Sequence, residues 1–209
     1  MFSLQTIFGK GDKFYGLLEA SAAAARESTR ALVELLSASP AQRSLEKFKL
    51  ARQREKNLAA QISHELVNTF VTALEREDID ALSSALYKIP KIVEKFAERY
   101  MLAAERLGDV DFISRATMLE RAAEVIEEMI GLLRKGMNPD TSKALNDKMQ
   151  AIEAEADRLI LELYRDTYAR ETDPMRDLIL KDLFELLEKA IDRCRDAGNV
   201  VHQVVLKNS

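Results

Sequence analysis

An all-α fold of six long helices is what this sequence of 209 residues predicts, on three observations. Residues that lose little freedom in a helix (Ala, Leu, Glu, Lys, Arg) dominate, whereas the chain holds only seven Gly and four Pro. The turn signals those residues supply fall at few places, leaving stretches far longer than strands. Within the stretches apolar residues recur at helical rather than alternating spacing. At 47% apolar the chain has enough material for a substantial core, as one domain or two small ones.

The first helix is predicted over about 12 to 38, up to "SASP". There Ser39 can cap a second helix that has Pro40 at its first position and runs to about 74. "LEREDID" connects to a third helix, with Asp78 or Asp80 as the cap, and Gly108 stops it after Leu107. "GDVD" opens the fourth, which lasts until Gly136. "GMNPD" turns the chain into the fifth, with Pro139 early in it and an end near Arg170. Asp173 caps the sixth, Pro174 begins it, and it extends to about Val205. Pro90 lies inside the third helix, where it removes one backbone hydrogen bond and predicts a kink or break in "YKIPKI". Three helices lie on either side of Gly108, and connections this short make neighbours antiparallel. The expected architecture is therefore two three-helix bundles, residues 12–107 and 109–207, as a pseudo-duplication that residue identities alone do not establish.

Charge narrows the function. With 31 basic and 35 acidic side chains mixed along the chain and a net charge of −4, no basic face for nucleic acid is expected. No stretch approaches the roughly 20 apolar residues that cross a bilayer, so no membrane insertion is expected. "MFSLQTIFGKG" has no leader pattern, and a single Cys fits a reducing compartment. The expectation is a soluble cytoplasmic protein. No Gly-rich phosphate loop, G-x-S-x-G or H-E-x-x-H occurs. His64 and His202 have Gln61 and Asn199, not Glu, three places earlier, which argues against a ferritin-like di-iron centre. No enzyme is expected.

The stretch "LLEKAIDRCRD" poses a question, because Glu188, Asp192 and Asp196 stack like charges at every fourth place. At about 100° per residue, Leu183, Leu187, Ile191, Cys194, Val201 and Val205 form the buried stripe of the sixth helix. Glu188 and Asp192 then lie roughly 100° and 140° from Leu187, with Asp196 farther round. On the fifth helix Leu145, Ile152, Ala156, Leu159 and Leu163 form the stripe, and Glu153 and Asp157 stand at the same offsets from Ile152. In adjacent antiparallel helices equal offsets are mirror related, so the two acidic flanks either face each other or both turn away. If they face, four carboxylates converge with Asp196 at the rim, and a hard cation or Zn²⁺ would relieve their repulsion. The other reading is a solvated face whose acids pair with Arg158, Lys189, Arg193 and Arg195.

At these residues the chain resembles the PhoU-like family of phosphate-transport accessory proteins, in particular the short members associated with Pit-type phosphate permeases. "FGKGDKFYGLLEASA", "HELVNTFVTALEREDIDALSSAL", "EAEAD" and "LLEKAIDRCRDAGNVV" carry the likeness over nearly the full chain. The resemblance implies two three-helix bundles with E/D-x-x-x-D motifs on the second and third helix of each half, holding iron or zinc. Carried over, Glu153, Asp157, Glu188, Asp192 and Asp196 are the candidate metal ligands. The first half departs from the pattern. It has Lys56 and Ala60 where the family's acid pair is expected, and Tyr87, Lys88 and Lys91 in place of an acidic triplet. A lysine cannot serve a cation, so one metal site is lost, and these lysines are either solvated or free for an acidic partner or an anion.

The resemblance also implies the function: a non-enzymatic regulator of phosphate uptake acting on a Pit-type permease, peripheral at the inner membrane face. The rival reading is a metal-free helical scaffold. Cys194, on the apolar stripe, is expected to be core. Phe14, Tyr15 and Phe70 are likewise read as core. Leu4, Ile7 and Phe8, ahead of the first turn, are expected to dock onto the bundle, onto a second subunit of a homo-oligomer such as a dimer, or onto the membrane-facing partner.

Overall fold

Six α-helices follow one another among the described residues: α1 (Leu4–Ser37), α2 (Glu46–Asn68), α3 (Arg76–Leu107), α4 (Ile113–Lys135), α5 (Pro139–Tyr168) and α6 (Pro174–Lys207). The structure, a computed structural model, describes residues 4–108, 110–168 and 173–209, with side chains from Lys13 onward except those of Asp166 and Thr167. The all-α reading holds.

The helix ends follow their local chemistry. Gly108 ends α3 at φ 62° and Gly136 ends α4 at φ 110°, a left-handed conformation that glycine adopts without a side-chain clash. Asp111 Oδ1 accepts from the Ser114 amide at the start of α4 (3.0 Å), and Asn138 Oδ1 accepts from the Thr141 amide in α5 (2.9 Å). Asp173 caps α6 as the sequence predicts: its Oδ1 accepts from the Met175 amide at 3.1 Å, ahead of Pro174 in the first turn. Asp173→Ala is therefore expected to cost about 1 kcal/mol. The check is a lower urea midpoint with an unchanged denaturant slope.

Several expected boundaries are corrected. The first helix begins eight residues earlier than expected, at Leu4, because glycine weakens a helix by only about 1 kcal/mol and "GKG" does not stop it. The docking expected of Leu4, Ile7 and Phe8 lies outside the described side chains. Pro40 opens a single 3-10 turn, Pro40–Gln42, and α2 starts at Glu46. The Ser39 hydroxyl meets Gln42 Oε1 (2.8 Å) rather than capping a backbone amide. α2 ends at Asn68, which leaves Phe70 in the following loop at 97% exposure, not in the core. Glu75, not Asp78 or Asp80, stands at the N-cap of α3. α3 is helical straight through Pro90, so there is no break there: Leu86, Ile89 and Val93 around it are fully buried, and their packing outweighs one missing hydrogen bond. The end expected for α5 near Arg170 falls outside the described residues, and α6 continues two residues past Val205.

Packing joins α1, α2 and α3 into one bundle and α4, α5 and α6 into another, and the bundles meet through α1 against α4 and α3 against α6. One continuous core runs through both, including Phe14, Leu18, Leu86, Phe96, Met129, Phe184 and Val201. The buried positions repeat without a gap. Leu18 pairs with Leu119, Leu32 with Leu133, Phe48 with Met149, Ala51 with Ile152, Leu82 with Leu183, Leu86 with Leu187 and Val93 with Cys194. Each partner lies 101 places on, the same interval that separates Arg26 from Glu127. Those two are themselves counterparts, and the Arg26 guanidinium donates to the Glu127 carboxylate at 2.8 Å across the α1–α4 contact. Counterparts in direct contact mark a local pseudo-twofold axis between the halves.

Candidate functional site

The predicted stripes place the acids. On α6, Leu183, Leu187, Ile191, Cys194, Val201 and Val205 are all buried. On α5, Ile152 and Ala156 are buried, while Leu145, Leu159 and Leu163 pack partly buried against the core. Met149 and Ile160 complete that stripe. Burying these stripes against each other turns the acidic flanks of α5 and α6 toward one another. Glu188 registers the result: burial first, then the charges of Asp157, Asp192, Glu185 and Glu153, raise its carboxyl above the ordinary range. The side-chain contact from Arg195 on α6 to Glu153 on α5 shows that the flanks face across the seam, and the repulsion at Glu188 accords with it.

The seam contains its own cation. Arg195 on α6 reaches across to Glu153 on α5, and also lies 3.4 Å from Asp192 and 3.4 Å from Asp196. Asp196 is held additionally by Arg193 at 2.6 Å. Arg158 pairs with Glu162 on its own helix, away from the seam acids. Glu185 and Tyr164 extend the site beyond the residues the sequence singled out, the Tyr164 hydroxyl donating to Glu185 Oε1 at 3.0 Å. Burial, with Glu185 adding to it, pushes that phenol up to about 12. The spacing that could have found them is regular: Glu185 lies three places before Glu188 on α6, and Tyr164 seven after Asp157 on α5.

Do these residues fit iron or zinc? Among the described residues no group of three or more His, Cys, Asp or Glu side chains could hold a metal ion. Arg195 occupies Glu153, Asp192 and Asp196, three of the five candidate ligands, which leaves Asp157 and Glu188 outside its contacts. In this arrangement the donor set does not fit a metal, because a guanidinium already stands where the cation would bind.

The repeat redraws the first half. Counted along the interval that aligns the two cores, Glu153, Asp157, Glu188, Asp192 and Asp196 correspond to Arg52, Lys56, Tyr87, Lys91 and Lys95. Arg195 corresponds to Glu94. The acid pair is thus replaced by Arg52 and Lys56 rather than by Lys56 and Ala60, and the triplet by Tyr87, Lys91 and Lys95 rather than by Tyr87, Lys88 and Lys91. Four of the five acids are replaced by cations and Glu188 by the neutral Tyr87, while Arg195 is replaced by an acid. Arg52, buried, donates to the Tyr87 hydroxyl, lies over its ring at 4.0 Å and stands 3.9 Å from Glu94. Burial raises the Glu94 carboxyl, with repulsion from Glu98 adding to it, while Arg52, Lys56 and Lys49 oppose the shift.

Two polar residues lie deeper. Glu55 on α2 is fully buried, and neither carboxylate oxygen has a hydrogen-bond partner. Burial pushes its carboxyl up to about 7, and the Ser21 hydroxyl, which falls outside hydrogen-bond geometry, offsets only part of this together with Arg52 and Arg54. Cys194 is buried as expected, and its thiol is pushed up to about 12. A thiol reagent at pH 8 should leave it unmodified in the folded protein and label it on unfolding. His202 Nδ1 lies 3.0 Å from the Ser142 hydroxyl, a contact that ties α6 to α5.

This arrangement defines a class of protein, a six-helix, two-bundle protein of the PhoU-like fold. It superposes on two crystal structures from Shewanella oneidensis MR-1, each at 18% identity and covering 93% of this chain and 99% of the other. One is a PhoU-like protein (TM-score 0.78), and the other carries the description "putative PhoU-like phosphate regulatory protein" (TM-score 0.77). In sequence the chain is similar to the Bacillus subtilis (strain 168) UPF0111 protein YkaA, 25% identical over 145 residues, 69% of this chain and 70% of that one. It is also 25% identical over 159 residues to a Rhizobium meliloti (strain 1021) protein named "Putative pit accessory protein", 73% of this chain and 74% of that one. No family model matches the chain. The resemblance to PhoU-like proteins of the Pit accessory type is thus borne out by relatives and fold together. Among the described residues no helix is long and apolar enough to cross a membrane.

Proposed function

We propose that this protein is a non-enzymatic accessory protein of phosphate uptake, acting on a Pit-type phosphate permease from the inner face of the membrane. The observation that carries the reading is the alignment with the Rhizobium meliloti relative over 73% of this chain, because that relative is named for a pit accessory role. The fold supports it, being shared with a Shewanella oneidensis protein described as a "putative PhoU-like phosphate regulatory protein". The reading needs no metal: Arg195 pairs with Glu153, Asp192 and Asp196, and the seam acts as a charged recognition surface. Nor does it need catalysis: the reading assigns the buried Cys194 and the Ser142-bound His202 structural roles.

The test is to delete the gene in its own host and measure phosphate uptake, alongside affinity capture of a Pit-type permease on the tagged protein. Uptake should change and be restored by the wild-type gene, and the permease should co-purify. Unchanged uptake together with no captured permease would leave the metal-free scaffold for some other partner as the better account.

A further inference from the structure

The inverted half carries a second surface. A groove of about 350 Å³ between α3 and α6 is lined by Lys88, Lys91 and Lys95 from one helix and Lys189 and Arg193 from the other, over Ile92 and Leu186. Lys88 and Lys189 are repeat counterparts, so the groove runs along the pseudo-twofold seam. Arg193 is committed to Asp196. The four lysines have no carboxylate partner among the described residues, whereas Lys47, Lys143, Lys181 and Lys207 all do. Four unpaired ammonium groups gathered in one concave place repel each other, and an anion relieves that repulsion.

We infer that this α3–α6 groove binds a soluble anion bearing two or more phosphoryl groups. Three properties select that chemistry. Lys88 and Lys95 are seven residues apart on one helix, roughly 10 Å at about 1.5 Å per residue, a span one phosphoryl group cannot bridge. Lysine predominates over arginine, so the groove recognises by clustered point charge rather than by a planar fork, and a densely charged phosphoryl anion gains most from it. The surface is concave, which suits a compact soluble anion better than a flat bilayer. The inference does not rest on the permease reading.

Calorimetric titration of the full chain tests it, with tripolyphosphate as the probe, orthophosphate as the single-group comparison, and phosphatidylglycerol–phosphatidylcholine vesicles as the membrane arm. Tripolyphosphate should bind one to one, more weakly as salt rises. Lys91→Ala with Lys189→Ala should weaken it about tenfold or more, while Lys91→Arg with Lys189→Arg retains binding. Lys47→Ala with Lys143→Ala should leave it unchanged, and all variants should keep their helical circular dichroism. The inference is overturned if tripolyphosphate does not bind, if orthophosphate binds as tightly, if the groove substitutions have no effect, or if only vesicles bind.

Discussion

Glu55→Gln is expected to gain on the wild type by roughly 3 kcal/mol between pH 4 and pH 8, the gain appearing as the pH passes from about 4.5 to about 7. The cause is a carboxyl sealed inside the first bundle with neither oxygen hydrogen-bonded. Folding raises its pKa, so below about 4.5 the group is protonated in both states and contributes no penalty. As the pH rises toward 7 the unfolded chain releases the proton and the folded chain retains it, so stability falls. Above about 7 both states are ionised and the loss is complete. Glutamine cannot titrate, so its denaturation midpoint should lack this descent. Urea titrations of both proteins at several pH values check it, and parallel curves would show that Glu55 is solvated in solution. The repeat makes the same point, since the counterpart of Glu55 is the buried, uncharged Ala156.

Arg195→Ala is expected to lower stability by about 1–3 kcal/mol at neutral pH. It removes the one side chain that touches Glu153, Asp192 and Asp196 together, and it leaves acids from two helices facing each other. The ion pairs are partly open to solvent, which places the effect toward the lower end of that range. The deficit should shrink as the salt concentration rises, because the repulsion between partly exposed charges is screened. Arg193→Ala, which removes one contact to Asp196, should cost less. A second consequence distinguishes charge from packing. With the guanidinium gone, the same oxygens are free to hold a divalent ion, so added Zn²⁺ should raise the denaturation midpoint of Arg195→Ala more than that of the wild type.

How much of this could be read from the chain alone depends on the physics of each feature. Helix ends set by Gly108, Gly136, Asp173 and Pro174 were legible, because those residues act through their own backbone or side chain. The stripe from Leu183 to Val205 was legible for a similar reason: a buried face needs only period and hydrophobicity. Local signals misled at Pro90, where packing overrode them, and at "GKG", where the helix penalty of glycine is too small to end a helix. Equal angular offsets narrowed Glu153, Asp157, Glu188 and Asp192 to two arrangements, facing each other or both turned away, and left the choice to the packing of α5 on α6. The occupant of the seam was not legible, since the choice of Arg195 among four nearby cations is settled by which long side chain spans from α6 to α5. The duplication was hidden because the repeat conserves burial rather than identity: Val93 answers to Cys194, Phe48 to Met149 and Ser21 to Ala122. Without that register the replacement of five acids by Arg52, Lys56, Tyr87, Lys91 and Lys95, four of them inversions of charge, reads as scattered loss.

Metal content is the most direct test of the claim that an arginine, and not an ion, closes the acidic seam. The protein is purified without chelator or affinity metal, and iron and zinc are measured by mass spectrometry in the wild type, in Arg195→Ala, and in Asp157→Ala with Asp192→Ala. The account predicts that the wild type carries neither metal in stoichiometric amount and that only Arg195→Ala takes up zinc on titration. One iron or zinc per wild-type chain, lost in the double aspartate variant, would contradict it.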